Sequence, residues 1–254
     1  MEERDDNALL AAARSGDRQA LETLLGRHQA RVYRFGMKMC RDPHDAEDVL
    51  QDTLLAMARG VRDFRGASSI STWLYTIARS YCLKKRRKSK FAPTETRSLE
   101  TDASAEATLA DPARGPDEVL AGKEIERALE HAIAKLAPRY REVLVLRDVE
   151  GLTALQVAEV LGVKVPAVKS RLYRARLRVR AQLAPLLGIV DRSADGPVSC
   201  PDVLALFSRH LENEISQEVC AHMEQHLSAC TQCRNTCNSL KATLVLCKTA
   251  PQVR

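Results

Sequence analysis

The chain has 254 residues, room for roughly two domains at about 100–200 residues each. Hydrophobic residues make up 45% and aromatic residues only 4%, and Ala, Leu, Arg and Glu abound, which favours a helical protein over a β-sandwich. The net charge is +6, yet residues 191–254 hold seven acids against six bases, so the basic excess lies in the first 190 residues and points to a polyanionic partner. No run approaches the roughly 18 apolar residues of a membrane span. The first residues, Met1 to Asn7, are acidic and lack an apolar signal core, so the sequence reads as cytoplasmic with no membrane partner.

Residues 7–88 are almost free of helix breakers and place apolar residues at helical spacing, as in Leu9, Leu10 and Ala13, then Ala20, Leu21, Leu24 and Leu25. Gly16-Asp17, Arg41-Asp42-Pro43 and the stretch from Gly66 to Ser69 punctuate four or five helices. Asp45, Glu47, Asp48 and Asp52 make an acidic helical face around Val49; Asp45 and Glu47 also suit dipole compensation after Pro43. Trp73 and Tyr75 precede the run Lys84-Lys-Arg-Arg-Lys. Interleaved aromatics and cations suit single-stranded DNA, whose unstacked bases need π-faces and whose phosphates need charge. Trp73 equally suits a place in the core. The isolated His28, Cys40, His44, Cys82 and His131 read as structural or surface residues.

Residues 89–118 change character. Pro93, Pro112, Gly115 and Pro116, with seven acids, two arginines and few large apolar residues, spell an acidic, irregular linker. Helical periodicity returns over residues 119–187, broken at Pro138, Gly151 and Gly162. Thr153 can cap a short helix carrying Val157, Ala158 and Leu161 on one face. Gly162 turns the chain and Pro166 opens the next helix. From Lys164 to Arg180 there are seven cations and no acid, around an apolar stripe of Val168, Leu172 and Val179. A helix-turn-helix with such a second helix suits the major groove and its phosphates. The candidate contacts are Lys164, Ala167, Lys169, Ser170, Arg171, Arg174 and Arg176.

Beyond Gly188, the stretch Asp191–Pro197 leads into a tail holding six of the eight cysteines: Cys200, Cys220, Cys230, Cys233, Cys237 and Cys247. In a reducing compartment such a cluster reads as metal ligands or a redox switch before it reads as structural disulfides. His226, Cys230 and Cys233 form His-x3-Cys-x2-Cys, whose steps of four and three keep all three on one side of a helix. Four-coordinate zinc then takes its last ligand from Cys200 or Cys220. On one continuous helix, His222, His226, Cys230, Cys233 and Cys237 fall within about an 80° arc. That surplus of donors suggests a thiophilic metal: copper, cadmium or zinc.

The N-terminal half carries, in order, Ala20-Leu-Glu-Thr-Leu-Leu, Asp45-Ala-Glu-Asp-Val-Leu-Gln-Asp and Ser71-Thr-Trp-Leu-Tyr-Thr-Ile-Ala-Arg, followed by the basic run and the helix-turn-helix. In this the chain resembles, over about residues 7–187, the bacterial extracytoplasmic-function (ECF) sigma factors, the promoter-recognition subunits of RNA polymerase. The resemblance implies that Asp45, Glu47, Asp48, Gln51 and Asp52 dock on the core polymerase, on the clamp helices of β′, with β as a further partner. It implies that Trp73, Tyr75, Arg79, Lys84, Lys85, Arg86 and Arg87 open the −10 element of promoter DNA around a flipped base. The helix-turn-helix would read the −35 element, and the acidic linker would thread the nucleic-acid channel. Two positions depart from the family pattern. Ser80 stands where Asn is usual, and Val165 stands where a Ser or Thr usually caps the recognition helix, a loss of about 1 kcal/mol at the helix start.

The tail order Cys…His-x3-Cys-x2-Cys resembles the zinc-binding anti-sigma fold, and the whole architecture resembles the CorE-like group of metal-responsive ECF sigma factors. That resemblance implies that the tail gates activity by binding zinc, copper or cadmium itself, through Cys200, Cys220, His222, His226, Cys230, Cys233 and Cys237, without a separate anti-sigma factor. A structural zinc module and a thiol switch at Cys230 and Cys233 are the competing readings of the tail. A stand-alone helix-turn-helix regulator is the competing reading of the whole chain, against which the Asp45–Asp52 motif argues. No enzyme is expected, because His222-x3-His226 lacks a His-Glu-x-x-His arrangement. The expected fold is all-α: a first helical sigma domain over 1–90, the linker over 91–118, the helix-turn-helix domain over 119–188 and a Cys/His metal-binding helical domain over 189–254.

Overall fold

The computed structural model describes residues 2–64, 66, 68–91, 116–187, 200 and 202–249. Most of the expected linker and the joint after Gly188 lie outside the described residues. All regular structure among the described residues is helical: α1 (Glu2–Arg14), α2 (Arg18–Cys40), α3 (Pro43–Gly60), α4 (Ile70–Phe91), α5 (Pro116–Lys135), α6 (Pro138–Leu144), α7 (Ala154–Leu161), α8 (Val165–Leu183), α9 (Val203–Leu211), α10 (Gln217–Ala229) and α11 (Thr231–Thr249). The all-α expectation therefore holds. None of these helices is long and apolar enough to cross a membrane.

The turn residues act as their chemistry requires. Asp17 and Asp42 cap α2 and α3 by accepting from the backbone N–H of Ala20 and Asp45. Arg41 ends α2 in the left-handed region at φ 65°, which frees Pro43 to start α3. These two helices cross closely at Gly36: a Cβ there would meet the Ala46 backbone at 3.2 Å. Thr153 and Gln156 form a reciprocal capping box at the start of α7, and Gly162 closes that helix at φ 65°. The cap of α8 is Lys164, one residue before the position read from the sequence, and it makes no side-chain capping bond.

One contiguous apolar core runs through α1 to α8, with Leu24, Phe35, Leu74 and Tyr75 on one side and Leu129, Leu144, Leu146 and Leu172 on the other. The tail has its own smaller core of Val203, Phe207, Met223, Cys233, Cys237, Leu240 and Leu244. From there α11 reaches back and seats Cys247 in the main core. Between α6 and α7 the helix widens into a π turn over Val145–Val149, closed by the Glu150 N–H donating to the Val145 carbonyl. This turn sends Asp148 toward α8 and Glu150 toward α2, a feature the hydrophobic spacing did not announce.

Candidate functional site

The acidic face of α3 stands out from the first core. Val49 and Ala46 are buried beneath it, while Glu47, Asp48, Gln51 and Asp52 are exposed and Asp45 is half-buried. The face is not bare of cations: Lys85 of α4 pairs with Asp48 and lies 3.2 Å from Asp45. Asp48 is the main cause of the raised Lys85 pKa. Lys85, expected on DNA, thus sits against the carboxylates expected on the polymerase.

The other candidates of α4 are largely engaged by the second half of the chain. Tyr75 is fully buried, not presented to solvent, because it falls on the face of α4 that also carries Leu74 and Ala78. Its hydroxyl donates to Glu150 at 2.6 Å and its ring packs edge-on to Phe35. Burial first, then Glu150, pushes its pKa well up. Arg34 donates to both Glu150 oxygens at 2.7 and 2.8 Å, and Arg31 donates to the Glu150 carbonyl. Arg79 donates to Glu142 at 3.1 Å, with Arg86 3.7 Å from the same carboxylate. Trp73 stacks on Phe64 over Gly60, Lys84 lies over the Tyr81 ring, and Arg87 is exposed.

On α8, Lys164, Ser170 and Arg174 are exposed and Ala167 and Arg171 half-exposed. Arg176 is not on this outer face. It follows Leu172 by one turn and is buried, donating to both Asp148 oxygens at 2.8 and 2.7 Å and to Glu212 at 3.0 Å. Its assignment to DNA is corrected: the helical period that places Val168 and Leu172 inward also places Arg176 inward. Glu212 also accepts from Arg147, Glu214 from Lys169 at 2.6 Å, Asp202 from Tyr173 at 3.4 Å, and Ser239 from Arg180. The tail therefore lies along α8 and meets Lys169, Tyr173 and Arg176 with carboxylates and Arg180 with a hydroxyl.

Within the tail the ligand atoms of Cys200, His226, Cys230 and Cys233 all lie within 4.8 Å of one another. Tetrahedral zinc needs donor separations of about 3.6–3.8 Å, so this set fits with a small contraction. Backbone N–H groups of Cys233 and Gln232 and the neighbouring thiols lower the Cys230 pKa toward thiolate, despite some desolvation. Cys220, His222 and Cys237 are not part of this cluster. α10 ends at Ala229 and Cys230 is extended at φ −108°, so the cysteines that follow leave the line of His222 and His226. Cys237 enters the tail core, His222 is exposed, and Cys220 sits near His210.

The chain joins a helix-turn-helix to a helical module with an exposed acidic face, and both halves match parts of one family of transcription initiation factors. Residues 24–91 match the family description "Sigma-70 region 2" and residues 126–179 match "Sigma-70, region 4". The chain is 35% identical over 189 residues to the ECF RNA polymerase sigma factor SigM of Mycobacterium tuberculosis, across 74% of this chain and 88% of that protein. It is 27% identical to the ECF RNA polymerase sigma factor SigW of Bacillus subtilis, across 68% and 94%. The solved structure of CnrH in complex with the cytosolic domain of CnrY is similar at a TM-score of 0.52 and 25% identity, covering 71% of this chain and 98% of that one. The chain belongs to the ECF RNA polymerase sigma factors, non-enzymatic initiation factors that direct RNA polymerase to promoters. The Cys-rich tail lies outside both matched spans.

Proposed function

We propose that this sigma factor is controlled by its own C-terminal domain, which holds a metal ion at Cys200, His226, Cys230 and Cys233 and packs along one side of the −35 recognition helix. The observation that carries the reading is the row of contacts along α8: Lys169 to Glu214, Tyr173 to Asp202, Arg176 to Glu212 and Arg180 to Ser239. Of these, the Lys169–Glu214 pair occupies charge that DNA phosphates need, while Lys164 and Arg174 stay exposed. In the same arrangement Glu142 ties Arg79 and Arg86, so cations of α4 and of α8 are engaged together. The bound ion would cross-link the start of the tail to the junction of α10 and α11, and so would hold the tail in its docking shape. On this reading control is in cis and needs no separate anti-sigma factor. The acidic face of α3 would serve the core polymerase, and α4 and α8 the −10 and −35 elements once released.

Run-off transcription with the purified chain and core polymerase tests it, comparing metal-free protein with protein given zinc, copper or cadmium. A transcript that changes with metal in the wild type, and does not in Cys230→Ser/Cys233→Ser, is the expected result. Transcription indifferent to every ion refutes metal control and leaves a structural tail.

A further inference from the structure

The surplus donors of the tail are not idle. Cys220, in the first turn of α10, has its Sγ 3.5 Å from His210 Nδ1 and 3.7 Å from Glu224 Oε1. For a tetrahedral ion with metal–sulfur bonds of about 2.3 Å and metal–nitrogen or –oxygen bonds of about 2.0–2.2 Å, the edges from sulfur to the other donors come to about 3.6 Å. Both contacts therefore already have the spacing of a coordination sphere. Glu224 follows Cys220 by four residues and shares its face of α10, while His210 comes from the end of α9. His210 and Glu224 stand farther from each other than the donors of the tetrad, so binding must draw in the exposed Glu224 side chain.

We propose that His210, Cys220 and Glu224 form a second site for a thiophilic divalent cation, separate from the four-ligand cluster and open to exchange. Three protein donors leave a fourth position to water, and two of the three are exposed, whereas the tetrad supplies all four of its ligands itself. Binding forms the metal–sulfur bond and releases the Cys220 thiol proton to solvent. Zinc and cadmium both suit a thiolate, an imidazole and a carboxylate.

The position of this site gives it a consequence, which rests on the reading of the tail as a cover for α8. His210 and Cys220 flank the connection between α9 and α10, and that connection carries Glu212 and Glu214. It turns tightly: Asn213 is left-handed at φ 55°, and the Asn213 and Glu214 N–H groups donate back to His210 and Arg209. The donors of the site are near coordination distance while Glu212 holds Arg176 and Arg147 and Glu214 holds Lys169. An ion there stabilises the clamped connection, so cation binding lowers affinity for duplex DNA.

Titration of the metal-free full chain with Cd2+, followed by thiolate-to-metal absorbance, tests the site. The wild type should bind two equivalents. Cys220→Ser and His210→Ala should lose the weaker one and keep the tighter, whose retention reports an intact tail; Glu224→Gln should weaken it about tenfold. A single equivalent in the wild type, or two undiminished in Cys220→Ser, overturns the proposal. In a second arm, the second equivalent should reduce binding of a −35 duplex severalfold in the wild type and not in Cys220→Ser; an equal reduction in both overturns the coupling. The cover itself is tested with only the tighter site filled: Glu212→Gln/Glu214→Gln should raise duplex affinity. If it does not, the reading of the tail fails while the stoichiometry still decides the second site.

Discussion

Glu150 holds the two halves of the sigma factor together, and its removal has a magnitude that the structure sets. Its carboxylate is fully buried and accepts two bonds from Arg34 and one from Tyr75, while its carbonyl accepts from Arg31. Glu150→Ala leaves the Arg34 guanidinium and the Tyr75 hydroxyl facing a cavity with no acceptor. Breaking one partner of a buried pair costs about 3–5 kcal/mol. The Arg34 side chain keeps 11% exposure and Arg31 33%, so water recovers part of the loss and the lower figure applies. The donors come from α2 and α4 and the acceptor from the segment after the π turn, so the cost falls on the contact between halves. A change of about 3 kcal/mol shifts the balance of closed and open forms about a hundredfold. Opening uncovers Tyr75, which tetranitromethane then nitrates. The assay is peptide mass spectrometry of Tyr75 nitration with Tyr173 as internal reference, alongside affinity for a −10 single strand. Both should rise in Glu150→Ala with helical content unchanged. If Tyr75 stays as protected as in the wild type and single-strand affinity does not move, the argument that Glu150 closes the molecule is wrong.

Three further outcomes are expected. His28 lies 3.1 Å from Asp6, but burial outweighs that carboxylate and Arg31 and Arg27 add to the effect, so its pKa is lowered. The unfolded chain keeps a value of about 6.5, so it takes up the proton first; stability present above that pH is lost as pH falls toward the lowered folded value. Melting between about pH 7.5 and 5 should therefore fall more steeply in the wild type than in His28→Gln, and equal slopes would contradict it. Gly36→Val forces apart α2 and α3 where a Cβ already meets the Ala46 backbone at 3.2 Å, and should cost about 1–3 kcal/mol in denaturant unfolding. Arg174 is exposed on the outer face of α8, so Arg174→Ala should weaken −35 duplex binding and reduce its salt slope by about one; an unchanged slope would remove Arg174 from the phosphate contacts.

The sequence by itself determined the helices, most of their ends and the family. Breakers and caps are local chemistry: Asp17, Asp42, Thr153 and Gly162 act on backbone groups within four residues, so their effect is written in the order of the chain. The grouping of Cys200 with His226, Cys230 and Cys233 is half legible, because three of the four sit at helical steps while spacing alone does not choose between Cys200 and Cys220 as the fourth. What only the tertiary structure decided is which cations are free. Arg176 and Tyr75 belong by composition to basic and aromatic DNA-binding stretches, yet each lies one helical turn from an apolar neighbour and turns inward to Asp148 or Glu150. Those acids come from a π turn whose extra residue no 3.6-residue period encodes. The pairing of Glu212 and Glu214 with α8, and of Cys220 with His210, likewise joins residues on different helices. Charge fixes that such groups will seek partners; only the packing of one helix on another fixes which partner each one finds.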